Sequence, residues 1–182
     1  MNTAKWDARQ PSFVPGPTMP GAAQSCAVGI GELAVSADRG LVIAAHALGS
    51  CVAVCIWDPA ARVGGIQHCL LPDSRINAAR AAAQPATFAD TGIPLLFESA
   101  RRLGLQKSRT LVYLVGGAEG QENGGVFDVG KRNILTVRSM CWKLGVLVTG
   151  ESVGGTTVRT VRLAVGDGHV VVTSGRECVA EW

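Results

Sequence analysis

The sequence predicts a single α/β domain, a β-sandwich of mostly antiparallel or mixed sheets flanked by helices. Short apolar, β-prone segments separated by turn residues recur between residues 28 and 173. Two segments with helical periodicity interrupt them, which favours a sandwich that carries helices. A chain of 182 residues with 47% hydrophobic and 17% charged residues is long and apolar enough for one sizeable core.

The first 25 residues differ from the rest of the chain. They hold four of the eight prolines and almost no apolar periodicity, so they are predicted to be a disordered tail in front of a domain at 26–182. No apolar run resembles a signal peptide or reaches the roughly 20 residues of a membrane span. We therefore expect a cytoplasmic protein without membrane insertion.

The first half of the domain reads as strands. Asp58 and Pro59 form a turn between two apolar segments, which predicts a β-hairpin. The polar, alanine-rich connection at 73–86 fits either a solvated loop or a loop that gates a site. The strands predicted here are 28–36, 41–48, 51–57 and 64–71.

The second half contains the helices and a return to strands. Apolar residues recur at helical spacing in 87–103, where Pro94 predicts a kink or the true helix start. In 131–144 the same spacing puts Cys141 on the buried stripe, and Gly145 ends the helix. A flexible glycine-rich loop is predicted at 120–125. The strands predicted here are 110–115, 146–149, 156–165 and 169–173.

A cysteine and a histidine stand on the two limbs of the predicted hairpin. Cys51 follows the small-residue turn Gly49-Ser50, and His68 comes 17 residues later (68 − 51 = 17). Antiparallel pairing around residues 58–62 brings the two side chains within reach. A nearby imidazole lowers the pKa of a thiol or accepts its proton, and the N–H groups of the turn suit a developing oxyanion. The pattern alone equally fits an inert buried cysteine and a core histidine.

Metal and nucleic-acid sites are poorly supported. Cys51, Cys55, His68 and Cys69 are the best metal set, but on paired strands His68 and Cys69 point to opposite faces, so the four cannot converge. The six cysteines are expected to be reduced thiols. A net charge of +3 without a basic run does not indicate nucleic acid.

A series of short motifs runs from about residue 28 to residue 172. They are Leu48-Gly49-Ser50-Cys51, Asp58-Pro59, Gly64-Gly65, His68, Leu71-Pro72-Asp73-Ser74, Phe88-Ala89-Asp90-Thr91, Val115-Gly116-Gly117-Ala118, Gly130-Lys131-Arg132-Asn133 and Gly154-Gly155 with Arg159. In this order they resemble the CheD family, the chemoreceptor glutamine deamidases of bacterial chemotaxis. The fold of that family, a β-sandwich flanked by helices, agrees with the fold predicted above.

One position departs from the family pattern. The family has a threonine six residues before the cysteine, which joins the nucleophile to the histidine, and this chain has Ala45 there (51 − 6 = 45). Alanine forms no side-chain hydrogen bond, so the imidazole of His68 is expected to lack its orienting group. His46, Ser50 or water are the candidates to replace it.

The resemblance implies a function and its site. Cys51 is the implied nucleophile and His68 the implied base of a protein-glutamine deamidase that needs no metal or organic cofactor. The implied substrates are methyl-accepting chemotaxis receptors, and a CheC-type chemotaxis phosphatase is an implied second partner. Two alternatives stay open: a catalytically impaired binding module, motivated by Ala45, and a cysteine hydrolase with another substrate.

Overall fold

The computed structural model describes residues 24–119 and 128–182. Within these residues the chain forms ten strands and three α-helices. The strands are β1 (Gln24–Ala27), β2 (Leu33–Ser36), β3 (Leu41–Leu48), β4 (Val52–Asp58), β5 (Val63–Cys69), β6 (Leu111–Gly116), β7 (Gly150–Val153), β8 (Arg159–Ala164), β9 (Val170–Ser174) and β10 (Glu177–Glu181). The helices are α1 (Ala78–Ala83), α2 (Ala89–Arg102) and α3 (Val129–Lys143).

The strands form two five-stranded sheets. The first has the order β1-β3-β8-β9-β10 and the second the order β2-β5-β4-β6-β7. The pairs β1–β3 and β6–β7 are parallel, and the other neighbours are antiparallel. The predicted fold class, an α/β sandwich of mixed, mostly antiparallel sheets flanked by helices, is confirmed.

Strands β4 and β5 occupy the middle of the molecule and are buried along their whole length. One face of β4 carries Ala53 and Cys55 into the core between the two sheets. The other face carries Val52 and Val54 into a second core beneath the helices, together with Leu96 of α2. Because both faces are covered, these strands are almost continuously apolar, which is the pattern that predicted them.

The helices cover the second sheet. α2 begins at Ala89 and continues through Pro94, so the proline neither starts the helix nor ends it. α3 ends near Gly145, whose φ of +70° suits glycine. Cys141 is 1% exposed, which confirms its predicted core position. In the part of the chain that the structure describes, no helix is long and apolar enough to cross a bilayer.

Several predicted boundaries were wrong. The strand predicted at 28–36 is shorter, because residues 28–32 form the loop between β1, which ends at Ala27 in the first sheet, and β2, which begins at Leu33 in the second. The strand predicted at 146–149 lies further along, at β7, and β10 was not predicted. The connection at 73–86 contains α1 and two short 3-10 turns.

The predicted tail and glycine loop fall mostly outside the described residues. β1 begins at Gln24, two residues before the predicted domain start at residue 26. The rest of the predicted tail lies in residues 1–23, and the predicted loop at 120–125 lies in residues 120–127. Neither segment belongs to the described part of the chain.

Candidate functional site

The β4–β5 hairpin carries Cys51 and His68 to the same end and the same face of the second sheet. Ala53 is the Cα partner of His68, and directly paired antiparallel residues share a face. Cys51 precedes Ala53 by two residues and belongs to the same cluster between the sheets. The two residues are therefore diagonal neighbours, a relation that spans roughly 7–8 Å across paired strands. The predicted antiparallel pairing of the limbs is confirmed.

The turn that leads into Cys51 is held by hydrogen bonds that its backbone carbonyl groups accept from other parts of the chain. The bonds run from Ala118 N–H to the Gly49 carbonyl (2.8 Å), from the Asn133 side chain to the Ser50 carbonyl (2.9 Å) and from Gly117 N–H to the Cys51 carbonyl (2.7 Å). Gly116 has a φ of +109°, and a Cβ there would lie 2.3 Å from the Cys51 carbonyl oxygen, so glycine is required. Among the described residues, no backbone carbonyl accepts a hydrogen bond from the N–H of Ser50 or of Cys51.

His68 is fixed by the loop that joins β1 to β2. The side chain is 2% exposed, and its Nδ1 lies 3.2 Å from the carbonyl oxygen of Val28. A carbonyl only accepts, so Nδ1 carries the hydrogen. The neutral ring then has its lone pair on Nε2, which is buried and has no hydrogen-bond partner among the described residues. The same loop bonds the backbone of His68 through Gly31 N–H and the Glu32 carbonyl, both at 2.9 Å.

Burial moves both side chains toward their neutral forms. It raises the pKa of the Cys51 thiol, and a hydrogen bond from the cysteine's own N–H opposes the rise in part. Burial likewise lowers the pKa of His68, against the opposing effects of the Val28 carbonyl and Glu32. The resting site thus pairs a thiol with a neutral imidazole. This direction is opposite to the lowered thiol pKa that a neighbouring imidazole suggests, because burial disfavours the thiolate.

Position 45 faces the interior of the sandwich on the side of the site. Ala45 is 0% exposed and belongs to the cluster that contains Cys51. Its strand partner Val161 lies in the same cluster, and the regular register of β3 with β8 ends at this pair. The next residue, His46, is half-buried, and its pKa is lowered by burial and by the charge of Arg162. The β3–β8 ladder is irregular between Ala45 and Leu48, and the charge of His46 contributes to the lowered pKa of His68.

The Val28 carbonyl was missed by sequence reasoning. The sequence predicted that Ala45 leaves the imidazole of His68 without an orienting partner, whereas the structure supplies one from the backbone. Every residue has a carbonyl, so no residue type marks this role in a sequence. Ser50, another proposed replacement, is exposed at the turn and contributes its carbonyl to Asn133.

Asp90 and Asn133 were identified only as parts of motifs, and the structure gives each a contact. Asp90 accepts hydrogen bonds from the N–H (2.9 Å) and hydroxyl (2.7 Å) of Ser74, which ties the loop after β5 to the start of α2. Asn133 is 0% exposed and bonds both limbs of the hairpin. Asp90 also lines a surface cavity of about 430 Å³, but neither Cys51 nor His68 does, so that cavity is not the chemical site.

The six cysteines are distributed over both faces of the central hairpin and other parts of the chain. All six are free thiols, and only Cys178 is exposed. Cys51 and Cys55 face the core between the sheets, whereas Cys69 faces the helices. Within residues 24–119 and 128–182, no group of three or more histidine, cysteine or acidic side chains is placed to hold a metal ion.

This protein is an α/β sandwich of mixed sheets. It carries a candidate thiol site, formed by a cysteine and a histidine at one end of its central hairpin. The family model described as CheD chemotactic sensory transduction matches residues 70–174, which begin just after His68. Curated relatives match over 143 to 148 residues at 44 to 47% identity. The chain belongs to the CheD family, which confirms the resemblance found in its motifs.

Three of these relatives are named as probable chemoreceptor glutamine deamidases. The protein of Solibacter usitatus is 46% identical over 79% of this chain and 85% of its own length. The second CheD of Anaeromyxobacter dehalogenans is 47% identical over 81% of this chain and 93% of its own. The first CheD of Syntrophus aciditrophicus is 44% identical over 81% and 92% respectively.

Proposed function

We propose that this protein is a cysteine-dependent protein-glutamine deamidase that converts glutamine side chains of methyl-accepting chemotaxis receptors to glutamate. One observation carries the proposal. His68 donates from Nδ1 to the Val28 carbonyl and keeps a lone pair on Nε2, on the same strand face as Cys51. Family membership and the names of the relatives support the reaction and the substrate class.

The first half of the reaction forms a thioester. His68 Nε2 takes the thiol proton while Cys51 Sγ attacks the carboxamide carbon of a receptor glutamine. The N–H groups of Ser50 and Cys51, which no backbone carbonyl of the described residues engages, stabilise the oxyanion. Nε2–H then protonates the departing nitrogen, the C–N bond breaks and ammonia leaves. Because the thiol and the imidazole are both neutral at rest, proton transfer accompanies the attack.

The second half releases glutamate. Nε2, again unprotonated, accepts a proton from water, whose oxygen attacks the thioester carbon. The C–S bond breaks, and the proton returns from Nε2 to the Cys51 sulfur. The new carboxylate stays on the receptor and adds one negative charge. The steps use only groups of this chain, substrate and water, so no metal or organic cofactor is part of the proposal.

A catalytically impaired binding module is the second candidate, and Ala45 is the observation that favours it. A missing orienting group commonly leaves a residual rate rather than none. The bond from His68 to the Val28 carbonyl favours the enzyme, because it supplies an orientation that the residue at position 45 does not. A cysteine hydrolase with a different substrate has no structural observation of its own in favour.

The proposal extends to partners and location. Besides the receptors, we propose a CheC-type chemotaxis phosphatase as a second partner, on the family resemblance alone. We likewise propose, on the family resemblance alone, that the protein acts in the cytoplasm. The proposed deamidase domain runs to residue 182 and includes Gln24 and Ser25, which pair with β3 as part of β1.

Mass spectrometry of a receptor cytoplasmic fragment tests the function. After incubation with the protein, glutamine-containing peptides should gain about one mass unit each without chain cleavage, and ammonia should appear in equal amount. Cys51→Ala should abolish both signals while the protein stays folded. Cleavage of the fragment would favour a protease, and binding without any mass change would favour the binding module.

A further inference from the structure

Asn133 is a fully buried amide that joins the two limbs of the hairpin. Its Nδ2 donates to the carbonyl of Ser50 at 2.9 Å and to the carbonyl of Leu70 at 3.0 Å. Both acceptors are carbonyls, so the group that faces them is the amide nitrogen, with one hydrogen for each. Among the side chains of this size, aspartate has no donor and leucine has no polar atom. The contact therefore depends on asparagine.

The two carbonyls lie beside the two proposed reacting residues. Ser50 directly precedes Cys51, and Leu70 follows His68 by two residues. The backbone pairing of the limbs ends at Val52 and Cys69. Asn133 thus bridges the strands just past their last pair, at the end of the hairpin where the thiol and the imidazole are located.

The start of α3 is built to keep Asn133 there. The Asp128 carboxylate caps the helix by accepting from Lys131 N–H at 2.9 Å. A Cβ on Gly130 would lie 2.7 Å from the Gly117 carbonyl oxygen, so the helix packs directly on the glycine turn. That turn is itself bonded to the Cys51 carbonyl by Gly117 N–H. The helix start, the glycine turn and the cysteine turn are one contiguous unit.

We propose that Asn133 is a positioning residue, which sets the separation between Cys51 and His68 by tying the Ser50 and Leu70 carbonyls together. The inference rests on the proposed function, since it assigns Asn133 to the geometry of that same site. Asn133 acts on the backbone next to the reacting groups and touches neither. Its loss moves the thiol relative to the imidazole, and misplacement of about 1 Å between reacting groups costs about 100-fold in rate.

Gln67 provides a matched control. It is also 0% exposed, and its Nε2 also donates to two backbone carbonyls, those of Ala86 (2.9 Å) and Phe88 (3.1 Å). These acceptors belong to the segment before α2, not to the cysteine turn. Asn133→Leu and Gln67→Met each replace a buried amide by an apolar side chain of similar volume and remove two hydrogen bonds. The two variants should lose similar thermal stability.

The test compares the wild type and these two variants in two assays. The first measures the rate at which iodoacetamide alkylates Cys51 as a function of pH, with the alkylated residue identified by peptide mapping. This assay needs no receptor. The second is kcat and KM for deamidation of a receptor fragment. For Asn133→Leu we expect a changed pH dependence of Cys51 alkylation and a kcat lower by tenfold to about 100-fold, with KM within about twofold. Gln67→Met should keep both within about twofold.

Every result decides the inference. Equal alkylation profiles and equal kcat in Asn133→Leu and Gln67→Met would reduce Asn133 to a structural role and overturn the proposal. If Asn133→Leu does not fold, Asn133→Ala is used, because its smaller side chain leaves room for water to bond the two carbonyls. If the wild type deamidates no receptor fragment, the proposed function fails, and the alkylation profiles still decide the role of Asn133.

Discussion

Restoring the family threonine at position 45 tests how His68 is oriented. Ala45→Thr adds a methyl and a hydroxyl inside the sandwich, at a position that is 0% exposed. Ala45→Val adds the same shape without the hydroxyl and serves as the control. The difference between the two variants isolates the hydroxyl, which the resemblance to the family implies is the missing group.

The structure sets the size of the expected effect. Were the imidazole unheld, an orienting group would restore about 100-fold or more in rate. The His68 ring is already held by the Val28 carbonyl, so the hydroxyl adds at most one further hydrogen bond. Such a bond contributes about 0.5–1.5 kcal/mol, or roughly 2- to 13-fold in rate. We expect Ala45→Thr to exceed Ala45→Val in kcat by no more than about 13-fold.

Stability should change in parallel for the two variants. Both overpack the inter-sheet core, at a cost of about 1–3 kcal/mol. For a domain of this size each kcal/mol lowers Tm by roughly 2–4 °C. Ammonia release from a receptor fragment gives kcat, and calorimetry gives Tm. A gain of about 100-fold for threonine over valine would refute the argument, because the Val28 carbonyl would then not orient the ring. A kcat that falls in Ala45→Thr but not in Ala45→Val would mean that the threonine hydroxyl donates a hydrogen bond to His68 Nε2 and blocks the base.

Three further predictions concern the cysteines, His68 and Asp58. Iodoacetamide should label the exposed Cys178 first and Cys51 next. Cys141 should react much later, because burial raises its pKa to about 11. Equal labelling of Cys51 and Cys141 would contradict an accessible nucleophile. The deamidation rate should fall in acid below pH 6.5, the usual histidine pKa, because burial lowers the pKa of His68. His68→Ala should lose most activity at every pH. A fall in rate that begins above pH 6.5 would contradict the buried neutral ring. Burial raises the pKa of Asp58, but its bonds to Arg109 and to backbone N–H groups outweigh this and hold it at about 2, below the usual 3.8. The stability that Asp58 contributes is present above pH 3.8 and is lost as the pH falls toward about 2. The free energy of unfolding of Asp58→Asn should therefore lack this part of the acid dependence. An acid dependence equal to that of the wild type would contradict the assignment.

The central hairpin could be predicted because its signal is local. Continuous apolar segments flank the Asp58-Pro59 turn, and the side-chain period of two then determines which residues share a face. This reasoning put Cys51 and His68 together and separated Cys69 from them. The same local logic placed Cys141 in the core of α3.

What could not be predicted depends on contacts distant in sequence. β7 pairs in parallel with β6, across α3, so the apolar residues 146–149 misled the assignment while the true strand begins at Gly150. Likewise β1 joins β3 in parallel and β2 joins β5 in the other sheet, so residues 28–32 become the loop between the two sheets. The Val28 carbonyl reaches His68 across 40 residues, and Asn133 reaches Ser50 across 83. A backbone carbonyl and a single buried amide leave no periodic pattern.

The central claim is that the Cys51 sulfur attacks a glutamine carboxamide with His68 as its base. It is tested most directly by acid-quenching the protein with a glutamine-containing receptor peptide and measuring intact mass, followed by peptide mapping. The account predicts an adduct equal to the peptide mass less ammonia, located on Cys51 and absent from Cys51→Ala and largely from His68→Ala. Continued deamidation by Cys51→Ala, or an adduct on any other cysteine, would contradict it.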